Sequence, residues 1–271
     1  EGYPYIEREL AGLLGTPIPI HGKMDGTLPA SGELDPDVIR PAIGLGPRPT
    51  LEPPAQSAPL PPRPPQLCRS CPHTDSFRAL NEARASLGAS TVTSDIGCYA
   101  LGALSPLDAV ETVLCMGASI GMAKGAAEAG EAHVVATIGD STFFHSGIPA
   151  LIDAVAAGVN MTVVILDNAT TGMTGGQDTV LPGSKIRDVA IASGVDPEHV
   201  ITIDPKPKNH EQNVGLYRNE LEYEGLSVII PTRECVQTIS RRARTARRDK
   251  PQRKAETSDR KSTRLNSSHY S

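Results

Sequence analysis

Large rings are scarce in this chain. It has no tryptophan and only three phenylalanines in 271 residues. Its core must therefore be assembled from Ala, Val, Ile and Leu, which suits a tightly packed α/β sheet. No apolar run approaches the ~18 residues of a membrane span, and no secretory leader pattern is present. The expectation is a soluble, cytoplasmic protein without a membrane partner. Positive charge is not in excess: the net charge is −5, so no global basic field points to nucleic acid. Five cysteines, unevenly spaced, are too few for a secreted disulfide scaffold and fit a metal or redox role better.

Proline is abundant, and ten of its 24 occurrences fall in residues 41–66. A stretch of that composition cannot build a core and is expected to run as an extended, semi-rigid linker. It separates a remnant of a preceding interdomain region, residues 1–40, from the main domain, residues 67–240. In the remnant, Tyr5, Ile6, Leu10 and Leu13 stand at helical spacing. Residues 241–258 form a basic tail without aromatic partners, which reads as a solvated helix end and linker before it reads as a nucleic-acid contact. Within residues 259–271, the string DRKSTRLNSSH resembles the in-frame translation of a sequencing adapter. It is set aside from fold reasoning, with the biological sequence expected to end near Ser258. With Glu1 in place of a methionine, the chain reads as a fragment of a longer gene product.

Between residues 67 and 240, short apolar runs recur at 91–94, 112–115, 134–138, 162–166, 200–203 and 226–230. Helical patterns lie between them. One is expected over 74–87, with Phe77, Leu80, Ala83 and Leu87 on one face. Another is expected over 146–159, with Ile148, Leu151, Ile152 and Val155 inward, Ser146 as cap and Pro149 in the first turn. The Gly- and Ala-rich segment 117–130 predicts a helix that presses close to a neighbour. Alternation of this kind predicts a doubly wound, mostly parallel α/β sheet, which binds ligands at the carboxyl ends of its strands.

The segment GDSTFFHSGIPALIDAVAAGVNMTVVILDNATTGMTGGQ, residues 139–177, carries the chemistry. Asp140 and Asn168 stand 28 positions apart at the ends of two apolar runs, with a helix between. That is the layout of a βαβ unit whose strand tips hold a metal–diphosphate. A carboxylate from Asp140, an amide oxygen from Asn168 and the Thr170 carbonyl supply hard oxygens, and a diphosphate with water completes an octahedron around Mg2+. Gly139 would let the backbone approach phosphate oxygens. The pattern reads as a thiamine diphosphate site. Cys68 and Cys71 form a CxxC, which by itself fits a zinc half-site, a redox pair or an iron–sulfur half-site. Cys98 follows 27 residues later, and Cys115, in an apolar run, reads as a core residue. His73 and His145, near the strand tips, could orient a substrate or move a proton, or could equally cap a helix or contact phosphate.

The segments SCPH, SDIGC, CMGASIGMAKG, GDSTFFHSG and LDNATTGMTGGQ together resemble the diphosphate-binding domain of the 2-oxoacid:ferredoxin oxidoreductase superfamily, in particular its indolepyruvate-type large (alpha) subunits. The likeness covers roughly residues 67–235, and GYPYIERELAGLLG with HGKMDGTLP resembles the interdomain region of those subunits. The resemblance implies Mg2+ on Asp140, Asn168 and Thr170. It also implies a diphosphate lined by Gly139, Ser141 and the Gly117-Ala118-Ser119 loop, with Met173 either supporting the bent cofactor or simply buried in its loop. It implies a [4Fe–4S] cluster on Cys68, Cys71, Cys98 and a distant fourth ligand, for which Cys235 is the remaining candidate.

The activity implied is oxidative decarboxylation of an arylpyruvate to an aryl-acetyl-CoA. Coenzyme A and ferredoxin would be partners, with a small beta subunit in a hetero-oligomer. The activating glutamate belongs to a pyrimidine domain outside this sequence, so the fragment should be inactive alone. The family's C-terminal ferredoxin-like domain is not expected in residues 236–271: either it was lost with the fragment or this branch lacks it. Two rivals stand beside this reading. One is a non-oxidative thiamine diphosphate-dependent 2-oxoacid decarboxylase, and the other is a non-catalytic metal-binding interaction module.

Overall fold

The computed structural model describes residues 3–13, 19–49, 64–88 and 90–248. They fall into two compact units, Glu1–Arg63 and Pro64–Ser271. Most of the Pro-rich stretch, the basic tail beyond residue 248 and the adapter-like end lie outside the described residues.

In the first unit, α1 (Tyr5–Leu13) is the helix its spacing predicts. The Glu7 carboxylate accepts from the backbone N–H groups of Lys23 and Met24, both at 2.9 Å, and so ties the helix to the HGKMDG turn. The second helix, α2 (Pro36–Ala42), is capped by Asp35, whose Oδ1 accepts from Asp37 N and Val38 N at 2.8 and 2.9 Å. The expected boundary after residue 40 therefore falls inside a helix. Pro36 in the first turn and the Asp35 cap were the local signals for it.

The second unit opens with α3 (Pro72–Ala85). This helix starts and ends two residues before the 74–87 expectation, because Pro72 needs no N–H partner in the first turn. Then come β1 (Val92–Ser94), β2 (Thr112–Val113), α4 (Ala118–Glu128) and β3 (Val134–Gly139). Next, α5 (Asp140–Thr142), a π-turn over Phe143–Gly147 and α6 (Ile148–Ala157) follow without a break. The remainder is β4 (Met161–Leu166), α7 (Ile186–Ala192), β5 (Val200–Ile203), α8 (His210–Glu222), β6 (Leu226–Pro231) and α9 (Val236–Arg248). The 240/241 boundary is thus internal to α9, and the basic string begins as helix.

All strand pairs are parallel, in the order β2-β1-β3-β4-β6-β5, the doubly wound sheet that the alternation predicts. Every residue of β3 and β4 is buried, as central strands covered on both faces require. On one face Ile120, Phe143, Leu151 and Ile186 pack over the sheet, and on the other Phe77, Leu80, Tyr217 and Leu221 do.

Three expectations are corrected. The helix after β3 begins at Asp140, and Ser146 lies inside it, its Oγ donating back to the Thr142 carbonyl at 3.3 Å, so it is not a cap. Ile152 is exposed, because the π-turn rotates the following face. Cys115 is exposed as well, since β2 is a two-residue edge strand and both of its residues face solvent. Among the described residues no helix is long and apolar enough to cross a membrane.

Tyr217 is fully buried and its hydroxyl has no partner among the described residues. Removing a desolvated, unpaired hydroxyl is close to neutral or stabilising. Tyr217→Phe should leave unfolding free energy in urea unchanged or raised by up to about 1 kcal/mol. Phe77→Ala, on the same face, should cost about 3–5 kcal/mol.

Candidate cofactor site at the strand tips

The chain leaves β1 for the sheet edge at β2 and returns on the other side of β1 at β3. That reversal opens a crevice at the carboxyl ends of β1, β3 and β4. Gly139 and Leu166 are direct partners across β3 and β4, so Asp140 and the Asp167-Asn168 turn leave the sheet side by side. A cavity of about 130 Å³ lies between them, lined by Asp140, Asn168, Thr170, Tyr99, Cys98 and Met173, among others. Complete small-molecule sites run to several hundred Å³. This one has room for the anionic end of a cofactor and not for the whole of it.

Asp140 is 3% exposed. Its Oδ1 accepts from Ser141 N at 2.7 Å, while Oδ2 is buried without a hydrogen-bond partner among the described residues. Burial pushes its pKa up to about 7, and the neighbouring Asp167 carboxylate adds to the rise. The Asn168 amide is held at both ends: Oδ1 accepts from Thr170 N at 3.1 Å, and Nδ2 faces His73 Nε2 at 3.1 Å. With Nδ2 as donor, His73 Nε2 must be the acceptor, so the ring is neutral and its proton sits on Nδ1. Burial, reinforced by the Arg233 charge, lowers the His73 pKa to about 4, which keeps that state at neutral pH.

Ala169 lies between Asn168 and Thr170 at φ 58°, in the left-handed region that a non-glycine residue enters at a cost. Its N–H is held by Asp167 Oδ1 at 3.1 Å. The carboxylate of Asp167 rests against Gly183, where an added Cβ would meet Oδ2 at 2.1 Å. Thr170 Oγ1 donates to the Gln177 carbonyl at 3.0 Å, and Ser141 Oγ bonds Thr171 Oγ1 at 2.7 Å. The loop after β4 is thereby latched to the helix after β3.

A second network lies beneath. Asp95, fully buried just past β1, accepts from Tyr99 OH, from Ser119 Oγ at 2.8 Å and from Gly117 N at 3.1 Å. Tyr99 OH also lies 3.2 Å from Thr142 Oγ1. Burial holds the pKa values of both Asp95 and Tyr99 above their usual ranges. The Tyr99 ring occupies the place where a Cβ on Gly139 would sit, at 2.5 Å. The absence of a side chain at 139 is accounted for by that ring, and phosphate approach is not needed to explain it. Gly117 takes φ 84° at the start of α4. Gly117 and Ser119 bond Asp95, and of this stretch it is Met116 that lines the cavity. His145 is exposed in the π-turn and does not line it. Met173 does line it and is 61% exposed, so it is not the buried loop residue of the alternative reading.

Cys98 lines the cavity, and charge interactions link it to Cys68 and Cys235 and link Cys71 to Cys68 and Cys98. Burial raises the Cys71 thiol to about 11, with the thiols of Cys68 and Cys98 contributing. Burial also raises Cys98, with Cys235 and Cys68 contributing. Cys235 N donates to the Asn168 carbonyl at 3.0 Å, which puts it behind the site. Among the described residues, no three His, Cys, Asp or Glu side chains converge closely enough to share a single ion.

Asp95, Tyr99 and Asp167 were not singled out from sequence. Asp95 and Tyr99 flank Cys98 in SDIGCY, and Asp167 precedes Asn168, so adjacency to the motifs was the available signal.

Comparison with known proteins agrees with this architecture. Residues 95–209 match the thiamine pyrophosphate enzyme, C-terminal TPP binding domain. The chain is 38% identical over 246 residues to the indolepyruvate oxidoreductase subunit IorA of Archaeoglobus fulgidus, covering 83% of this chain and 38% of that protein. It is 38% identical over 251 residues to the IorA subunit of Methanothermobacter thermautotrophicus, covering 86% and 40%. It therefore spans about two fifths of the length of these relatives. A solved structure of 2-oxoglutarate:ferredoxin oxidoreductase from Magnetococcus marinus superposes with a TM-score of 0.55 at 21% identity, covering 64% of this chain and 65% of that one, which shows the shared fold.

Two predictions test the geometry. Tyr99→Phe removes the donor to Asp95 and the acceptor facing Thr142 Oγ1 and should cost about 1–3 kcal/mol of unfolding free energy. On acidification the unfolded chain protonates His73 near pH 6.5, while the folded protein holds it neutral to about pH 4. The neutral ring's contribution is present above pH 6.5 and is lost as pH falls toward 4, by roughly 3 kcal/mol in total. Asp140 titrates with the opposite sign between about 7 and its ordinary value, so the comparison is made against His73→Gln. The difference between the two stability-pH curves should shrink by that amount across the window. Parallel curves would contradict a neutral His73. Residues 95–209 are thus similar to the thiamine pyrophosphate enzyme C-terminal domain, and the chain is similar over more than four fifths of its length to part of the indolepyruvate oxidoreductase subunit IorA.

Proposed function

We propose that this chain is the diphosphate-binding part of a thiamine diphosphate-dependent enzyme that oxidatively decarboxylates arylpyruvates to aryl-acetyl-CoA, with ferredoxin as electron acceptor. The observation that carries the reading is the buried Oδ2 of Asp140, which has no donor and shares one cleft with Asn168 and Thr170. A hard divalent cation satisfies such an oxygen where a hydrogen bond does not. Asp140, the Asn168 amide oxygen and the Thr170 carbonyl would hold Mg2+. Gly139, Ser141 and the Gly117-Ala118-Ser119 turn would border the diphosphate, and Met173 would stand against the cofactor's bend. When bound, thiamine diphosphate supplies the carbon nucleophile and the electron sink for loss of CO2.

The protein's part is placement. His73 fixes the Asn168 amide, Asp167 fixes the strained turn, and the Asp95–Tyr99 pair fixes the helix that starts at Asp140. The small cavity fits a site completed by other parts of a longer protein, including the group that activates the pyrimidine. The relatives' subunit name supports a multi-subunit assembly, in which we infer a small beta subunit as partner.

The cysteine group fits a [4Fe–4S] cluster on Cys68, Cys71, Cys98 and Cys235. Thiolates are the ligands such a cluster takes, and the charge interactions that link Cys68, Cys71, Cys98 and Cys235 support grouping them.

Calorimetry on the full-length protein should show thiamine diphosphate binding only with Mg2+, weakened on the order of 100-fold by Asp140→Ala. Anaerobic preparations should contain about four irons per such site, lost in Cys98→Ser. Magnesium-independent binding would overturn the reading. Binding and decarboxylation without iron would favour the non-oxidative decarboxylase.

A further inference from the structure

The segment that follows β6 touches both the cofactor turn and the CxxC. Its backbone is held to the turn after β4, where Arg233 N donates to the Asp167 carbonyl and Cys235 N to the Asn168 carbonyl, both at 3.0 Å. Two of its side chains reach the CxxC instead. The Arg233 guanidinium donates to the Ser70 carbonyl at 3.2 Å and the Pro205 carbonyl at 3.1 Å, and it pairs with Asp75 at 2.8 Å. Ser70 lies between Cys68 and Cys71 with φ at 62°, a left-handed conformation that a serine holds at a cost. In the first turn of α9, Gln237 Nε2 donates to Cys68 Sγ at 3.3 Å. The Gln237 side chain is exposed and has no other hydrogen bond among the described residues. A thiol is a weak acceptor, so this contact adds little to stability. A thiolate on iron carries negative charge and accepts the same N–H more strongly.

We propose that Gln237 sets the reduction potential of an iron–sulfur centre that includes Cys68, through its hydrogen bond to that sulfur, and that Arg233 is the positioning residue that keeps the CxxC turn within its reach. This role rests on the cluster reading above. The step concerned is the entry of one electron, in which [4Fe–4S]²⁺ and e⁻ give [4Fe–4S]⁺. The electrons come from substrate oxidation, in which R–CO–COO⁻ + CoA–SH gives R–CO–S–CoA + CO2 + H⁺ + 2 e⁻. The bond to the carboxylate breaks, the C–S bond forms, and the thiol proton is released. The two electrons pass singly and go on to oxidised ferredoxin. Each adds a negative charge that strengthens an N–H···S bond, so a donor at Cys68 favours the reduced state and raises the potential. Asp75 offsets the Arg233 charge, so Arg233 acts by position more than by field.

The test uses the full-length complex, purified without oxygen, in a redox titration followed by electron paramagnetic resonance. The signal followed is the one absent from Cys98→Ser. Gln237→Leu should make the centre about tenfold harder to reduce, a fall of ~59 mV for one electron, with iron content unchanged. Gln237→Glu, which puts a carboxylate where the donor was, should lower the potential further. Arg233→Lys keeps the charge and loses the forked donors. It should lower the potential by less, and in Arg233→Lys/Gln237→Leu the two shifts should fall short of their sum. An unchanged or raised potential in either Gln237 variant overturns the role of Gln237, as does loss of iron from both. Additive shifts overturn that of Arg233. A wild-type complex with neither iron nor signal sinks the cluster reading and this role with it.

Discussion

The carboxylate of Asp140 is the constraint around which the strand tips are arranged. It is removed from water, one oxygen has a single backbone donor and the other has none. Burial, with the Asp167 carboxylate pushing the same way, raises its pKa to about 7. A fold selected for stability alone would not keep such a group. It persists because the surroundings leave it nowhere else to go: Tyr99 fills the space over Gly139, and Ser141 and Thr171 latch the flanking loops together. Strain of this kind collects where a ligand is to be bound. A divalent cation would reverse the sign of the interaction, turning a desolvated liability into a ligand.

The sheet delivers that carboxylate to its partner without help from long loops. In a parallel register with Gly139 opposite Leu166, the residues that follow must emerge together at the same edge. The crevice is there because β2 lies outside β1 and β3 on its other side. Asp95, at the tip of β1, gathers the start of α4 and the Tyr99 ring into the same edge. Three strand tips thus act as one platform, with Asp140 opening a helix and Asn168 and Thr170 on a loop latched to it.

Much of this was legible in the chain. Apolar runs of four to six residues alternating with helical patterns are enough to specify a parallel sheet, and all six runs are strands. The Asp140 and Asn168 pairing in one cleft follows from that alternation and from turn residues at the run ends. What could not be read was whatever depends on side-chain neighbours from elsewhere in the sequence. The continuous helix from Asp140 was hidden because Ser146 and Pro149 read as a start, whereas a π-turn over Phe143–Gly147 carries the helix through Ser146 into α6. Cys115 looks buried within a run of apolar letters, yet that run sits at a sheet edge where nothing covers it. Tyr99 filling the space above Gly139 is a contact across 40 residues, and no spacing rule announces it.

The most direct test is diffraction from crystals of the full-length protein grown with thiamine diphosphate and manganese in place of magnesium, with data collected for the metal's anomalous signal. The account predicts a single peak at the strand tips, about 2.0–2.3 Å from an oxygen of Asp140 and from the amide oxygen of Asn168. A manganese peak bound elsewhere, with Asp140 Oδ2 still uncoordinated beside an ordered cofactor, would contradict it.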